Sequence, residues 1–208
     1  MPDRTVLDLE TPHGPARVHL HPAEDALGAL VLGHGAGGGV TARDLVAVTE
    51  VAQSERFSVA LVEQPYRVAG RKAPAPANRL DEAWTAVVEQ LREGDLSGLP
   101  LVVGGRSAGA RVACRTAAET GAVAVLCLAF PVHAPGRPEN TRQHELDAVD
   151  LPVLVVQGSR DPFGMPAEGR GRRVVVVPGN HSLSADLDAV GTAVRTWLAE
   201  LGGRFADS

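Results

Sequence analysis

Leu101-Val102-Val103-Gly104-Gly105-Arg106-Ser107-Ala108-Gly109-Ala110 decides how the rest of the chain is read. Leu101–Val103 is short and wholly apolar, which predicts a strand buried on both faces. Ala108–Thr120 is rich in alanine and predicts a helix, with Gly121 as its C-terminal stop. Between the two, Gly105-Arg106-Ser107-Ala108-Gly109 fits the pattern G-x-S-x-G. Glycine and serine are common, so the pattern alone is weak. Its place between a strand and a helix is the specific part. A nucleophilic serine needs a tight strand-to-helix turn that lifts its hydroxyl above the sheet. Small flanking residues let that turn close without Cβ clashes. The helix N-terminus then offers free N–H groups to developing negative charge. The competing reading makes Ser107 a plain helix N-cap.

Outward from this turn, short apolar runs alternate with helical stretches. Strands are predicted at Ala29–Leu32, Val59–Val62, Val123–Ala129, Val153–Val156 and Val174–Val177. Helical periodicity covers Val40–Arg56, Leu80–Arg92 and Ala185–Leu201, the last followed by Gly202-Gly203 as a stop. Such alternation implies an α/β fold with a mostly parallel, doubly wound sheet of about eight strands. The opening differs: Val6–Leu9 and Ala16–Leu20 alternate around Pro12-His13-Gly14-Pro15, which predicts an antiparallel edge hairpin. No repeat or linker interrupts residues 1–208, so a single domain is expected. The Pro/Gly-rich loops Pro65–Asn78 and Pro131–Asn140 each follow a strand. They are expected at the carboxyl edge of the sheet, where open α/β folds bind ligands.

Two later strands end in candidate partners for Ser107. Val153–Val156 leads into Gln157-Gly158-Ser159-Arg160-Asp161, and Val174–Val177 into Pro178-Gly179-Asn180-His181. The order Ser, Asp, His and the strand-end positions suit His181 as general base and Asp161 as its orienting acid. Asp150 is the alternative acid, but it precedes a strand and is expected at the wrong edge. His13, His19 and His21 fall in the hairpin and His144 in a surface helix. After Ala29–Leu32 comes Gly33-His34-Gly35-Ala36-Gly37-Gly38-Gly39. No Gly-Lys-Ser/Thr follows, so a phosphate loop is a poor fit. The loop suits an oxyanion hole, with the N–H of Ala36, or alternatively Gly37, as one donor and that of Ala108 as the other. His34 is expected to brace the loop rather than react.

Composition narrows the setting. The chain has 208 residues, 44% hydrophobic and 22% charged, with a formal net charge of -5. That balance argues against a nucleic-acid partner. No apolar run reaches membrane-spanning or signal-peptide length, so a cytoplasmic protein without a membrane partner is expected. The two cysteines, Cys114 and Cys127, sit among apolar residues and read as buried free thiols. No metal site or cofactor is implied, and oligomeric state is not readable.

With these pieces in place, the chain resembles the α/β-hydrolase superfamily over essentially its whole length. It looks closest to small dienelactone-hydrolase-like members. Among those it resembles the family of a testis-expressed hydrolase-like protein and the hydrolase-like part of a chromatin-complex subunit. The matching stretches are Gly33–Gly38, Gly70–Pro74, Gly104–Ser107, Pro135–Glu139 and Gly158–Asp161. The resemblance implies the triad Ser107, Asp161 and His181. About twenty residues, Pro131 to Asp150, separate the sixth and seventh strands, which leaves no room for a cap domain and implies an open, shallow pocket. The expected activity is esterase-type hydrolysis of a small ester, lactone or thioester. An acyltransferase with the same triad, or a non-catalytic interaction module, are the alternatives. Arg67, Arg71, Lys72, Arg106, Arg137, Arg142 and Arg160 all lie on loops of the expected active face. Arg137 and Arg142, with Arg71 and His133, are candidates to bind an anionic group on the substrate. Alternatively these cations are solvated or pair with Glu63, Glu139 and Glu145, and Arg106 is buried against a carboxylate such as Glu63.

Overall fold

The computed structural model describes residues 4–206. Eight strands form one sheet: β1 (Thr5–Leu9), β2 (Ala16–His21), β3 (Gly28–Gly33), β4 (Phe57–Glu63), β5 (Leu101–Arg106), β6 (Ala124–Leu128), β7 (Val153–Gly158) and β8 (Arg172–Val177). Their order is β1-β2-β4-β3-β5-β6-β7-β8. β1 and β2 pair antiparallel, and β2 pairs antiparallel with β4. From β4 to β8 every pairing is parallel. The predicted hairpin is therefore present, with β1 at the sheet edge.

Six helices connect or follow these strands: α1 (Arg43–Ser54), α2 (Pro65–Val68), α3 (Ala77–Glu93), α4 (Ala108–Thr116), α5 (Gln143–Asp147) and α6 (Leu187–Ala206). Alternate residues of the unbroken apolar strands feed two cores, one on each face of the sheet. On one face Val31, Val62, Val103, Val125 and Val155 meet Trp84, Val87 and Val88 of α3 and Ala110 and Ala113 of α4. On the other, Leu32, Leu61, Leu126 and Leu154 meet Leu45 and Val48 of α1 and Val194, Trp197 and Leu198 of α6. Among the described residues no helix is long and apolar enough to cross a membrane.

The helices depart from the sequence reading in several bounds: α1 starts at Arg43 and ends at Ser54, α3 runs from Ala77 to Glu93, α6 starts at Leu187, and the short α2 lies inside the expected loop Pro65–Asn78. Two C-terminal ends show the physical reason. α4 stops at Thr116 and continues as turns. The Thr116 and Thr120 hydroxyls donate back to carbonyls of the preceding turn, which competes with the helical ladder. α6 does not stop at Gly202-Gly203 but runs to Ala206. Gly202 is buried against Leu27 and Phe57, and Phe205 packs on the Phe57 ring. Packing after the glycines holds the helix that their propensity alone would end.

Between β6 and β7 the chain carries only the short α5 and turns, so no cap covers the carboxyl edge. The carboxyl ends of β3, β5, β6, β7 and β8 are thus covered only by the loops that follow them.

Candidate active site

The site is built on the end of β5. Ser107 sits at the first position before α4 with φ 52° and ψ -109°. A non-glycine residue in the left-handed region is strained by roughly 1–3 kcal/mol and must be held there. Its N–H donates to the Leu128 carbonyl of β6 at 2.9 Å. The neighbouring glycines make the turn possible. A Cβ on Gly105 would lie 2.6 Å from the Gly33 carbonyl oxygen, and one on Gly109 only 2.4 Å from it. Ser107 stands in the N-cap position, yet its side chain makes no capping bond. Its hydroxyl faces His181 instead, with Oγ 2.9 Å from Nε2.

His181 lies on the loop after β8, and its Nδ1 is 2.8 Å from Asp161 Oδ2. The Asp161 side chain is 1% exposed. Besides the imidazole it accepts the Phe163 N–H at 2.8 Å and the Gln157 amide at 2.9 Å. The same amide nitrogen also faces the Phe130 and Gly164 carbonyls, which locks the Asp161 loop to the ends of β6 and β7. Phe163 stacks on the His181 ring, centroids 4.1 Å apart. The structure therefore brings Ser107, His181 and Asp161 into one hydrogen-bonded chain. Asp150 lies before β7, exposed and at the opposite edge, as its sequence position implied.

The glycine loop after β3 arches beside this chain. His34 is buried; its Nδ1–H donates to the Gly35 carbonyl, and Nε2 accepts the Gln64 N–H at 3.2 Å. Burial pushes its imidazolium pKa down, which favours the neutral form that this double role needs. His34 thus braces the loop. The Tyr66 hydroxyl donates to the Ala36 carbonyl at 3.2 Å. No hydrogen bond among the described residues uses the N–H of Ala36, Gly37 or Ala108.

Arg106 corrects one expectation. Its carboxylate partner is Asp44 in the first turn of α1, at 2.8 Å, and not Glu63. Glu63 faces His19 instead, at 3.5 Å. Arg106 Nη2 also donates to the His181 carbonyl at 3.1 Å. Burial pushes the Asp44 carboxyl above the usual aspartate range, with Arg106 opposing the shift.

The other basic candidates are spread along the carboxyl edge. Arg71 and Arg137 are exposed, and Arg142 is half-buried with Nη1 3.5 Å from the Pro131 carbonyl. Burial and nearby Arg111 push the Arg142 pKa down. His133 bonds the Ala134 carbonyl and its N–H donates to Phe163, so it abuts the Asp161 loop. Glu145 is engaged by Arg111 and Arg115, leaving Arg142 without it. Among the described residues the side chains of Arg67, Arg71, Lys72, Arg137, Arg142 and Arg160 make no ion pair. Arg71 lines a small cavity of about 100 Å³ with His13, Gln64, Tyr66 and Arg79.

Sequence reasoning missed Asp44, Gln157 and Phe163. A polar residue closing the apolar run Val153–Val156 was the available signal for Gln157. Asp44 reads only as a favourable acid in a first helical turn.

The comparisons with known proteins agree with this fold. Residues 26–186 match the family model described as an alpha/beta hydrolase domain. A search of curated proteins found no match. Among solved structures, dienelactone hydrolase from Anabaena variabilis aligns at 19% identity, with a TM-score of 0.78 over 96% of this chain and 98% of that one. A serine hydrolase without a lid from Xanthomonas campestris aligns at 19% identity, with a TM-score of 0.74 over 95% and 96%. Est1E from Butyrivibrio proteoclasticus aligns at 17% identity, with a TM-score of 0.77 over 94% and 98%. Est1E has also been determined with ferulic acid bound.

Proposed function

Since this chain belongs to the alpha/beta hydrolase domain family, we propose that it is a serine hydrolase that cleaves a small ester, lactone or thioester through an acyl-enzyme on Ser107. The observation that carries the reading is the continuous chain Ser107 Oγ, His181, Asp161, with links of 2.9 and 2.8 Å, on a strained elbow.

A serine hydroxyl is a poor nucleophile at neutral pH. Asp161 accepts the His181 Nδ1–H, which leaves Nε2 free to take the Ser107 proton. Ser107 Oγ attacks the acyl carbon as that proton moves to His181. The carbonyl oxygen becomes an oxyanion, held by the N–H of Ala108 and that of Ala36, with Gly37 as the alternative. Each such donor is worth about 3–4 kcal/mol in the transition state. His181 then returns the proton to the leaving alcohol or thiol. Water, deprotonated by His181, attacks the acyl carbon; the bond to Ser107 Oγ then breaks, His181 returns the proton to that oxygen, and the acid leaves. Every step uses the ester, water and groups of this chain.

The open edge and its cations, unpaired among the described residues, favour a substrate bearing an anionic group, held by Arg142 or Arg137 with Arg71 and His133 as further contacts. The finer affinity, with the testis-expressed hydrolase-like family, rests on the five stretches quoted above. Cys114 and Cys127 lie 3.5 Å apart as free thiols, which fits a reducing cytoplasm.

A fluorophosphonate probe tests the proposal. Wild-type protein should be labelled, Ser107→Ala should not, and His181→Ala should react far more slowly. Folded wild-type protein that resists the probe would point to an interaction module instead. Rates on matched neutral and carboxylate-bearing esters, compared in Arg142→Ala, test the anionic preference.

A further inference from the structure

Arg106 is adjacent to the nucleophile, and its side chain is largely buried. Its guanidinium meets three other segments at once. Nε donates to Asp44 Oδ2 at 2.8 Å, which ties it to α1. Nη2 donates to the His181 carbonyl at 3.1 Å, which ties it to the loop after β8. Nη1 lies against Gly35 of the glycine loop, 2.8 Å from where a Cβ would stand. The Asp44 side chain is 1% exposed and that of Arg106 17%. Asp44 is fixed in turn, since its Oδ1 accepts the Leu45 N–H at 3.0 Å. Only a planar, forked cation can serve two acceptors in fixed directions in this way.

The His181 loop is also held by Asp161, which bonds the imidazole at 2.8 Å, and by Leu183, which is wholly buried in the core on the α6 side. The Arg160 N–H donates to the Gly179 carbonyl, and Gly158 packs against Asn180, so β7 secures its entry. Phe163 fixes the plane of the ring. None of those contacts ties the His181 backbone to the segment that carries Ser107. Arg106 does so, because it is covalently next to Ser107 and bonded to the backbone of His181. An unpaired arginine at this depth would be costly, and Asp44 removes that cost.

We infer that Arg106 is a positioning residue: clamped by buried Asp44, it holds the His181 backbone at a fixed offset from Ser107 and so sets the nucleophile–base distance. The inference rests on the reading of Ser107, His181 and Asp161 as a triad. It assigns the variable residue of the elbow motif a role in the geometry of the base, and it makes α1 part of the support of the site.

The test uses a chromogenic acetate ester, with active sites counted by fluorophosphonate titration. Arg106→Gln should lower kcat per titrated site at least tenfold, with KM within about twofold, because a displacement of about 1 Å in a catalytic group costs up to a hundredfold. Arg106→Lys keeps the charge for Asp44 but not both bonds, and should recover only part of that loss. Backbone amides of residues 181–185 should exchange hydrogen faster in Arg106→Gln than in wild type. If Arg106→Gln proves too unstable, Arg106→Lys alone carries the test through its kcat and exchange. Unchanged kcat per titrated site, with only the thermal midpoint lowered, would overturn the inference and leave a purely structural ion pair. A wild-type protein that the probe does not label would overturn the triad reading first, and this inference with it.

Discussion

At the scale of single residues, Asp161 is the most exacting position in the site. Its carboxylate accepts from His181, Phe163 and Gln157, so its orientation is set three times over. Asp161→Asn keeps the shape but presents a donor where His181 needs an acceptor, and the imidazole flips its tautomer. We expect kcat to fall by about 10⁴ with the fold intact, the loss that the same change produces in a serine protease. Steady-state kinetics with a circular dichroism check on folding would show it. This residue was legible beforehand because chemistry demands an acid at a strand end after the nucleophile. Asp44 was not. It stands over sixty residues from its partner Arg106, in a helix position where an acid needs no special explanation. Burial distinguishes it, and burial follows from tertiary packing that no local pattern records.

At the scale of elements, α6 shows where local propensity misleads. Gly202 and Gly203 read as a stop, and the helix ignores them because Phe205 finds Phe57. The two glycines differ in their surroundings. A Cβ on Gly203 meets nothing within 4 Å, while one on Gly202 lies 3.3 Å from Leu27. Gly203→Ala should therefore stabilise the protein by about 0.5–1 kcal/mol in urea unfolding, and Gly202→Ala should gain less or lose. The junction of α3, α4 and α5 makes a pH-dependent case. Glu145, 7% exposed, is gripped by Arg111 in two bonds of 2.8 and 2.6 Å and by Arg115, which also holds Asp81. Burial pushes its carboxyl up, but the two arginines outweigh that and hold it below the usual glutamate range. A folded-state pKa below the unfolded one means stability that is full above about pH 4.5 and lost as pH falls through the folded value. Glu145→Gln should thus cost about 2 kcal/mol at pH 7, and the gap from wild type should shrink toward pH 3. Urea midpoints at the two pH values would decide it. None of these pairings could be read from spacing, because each joins residues about thirty apart in sequence.

At the scale of the molecule, the mostly parallel sheet of about eight strands and the missing cap were readable because they follow from counting: alternating strands and helices give the winding, and the short segment before β7 cannot form a cover. A lipase-like enzyme that must move a cap from its site accelerates when its substrate forms a separate phase. Among the described residues nothing forms such a cap. Its rate on a sparingly soluble triester should follow simple saturation through the solubility limit, and a jump in rate at that limit would contradict the uncovered site.

The junction of Gly33, Gly105 and Gly109 has a consequence for how this protein tolerates change. Three backbones meet there at distances no side chain can enter. A library of random variants sorted only for folding would already be empty at 105 and 109. Ser107 would behave in the opposite manner. Its left-handed backbone is one that glycine adopts freely, so Ser107→Gly would survive that sort, even gain from it, and vanish only when survival depends on turnover. Two sorts of one library would separate the residues that build the elbow from the residue the elbow is built to carry.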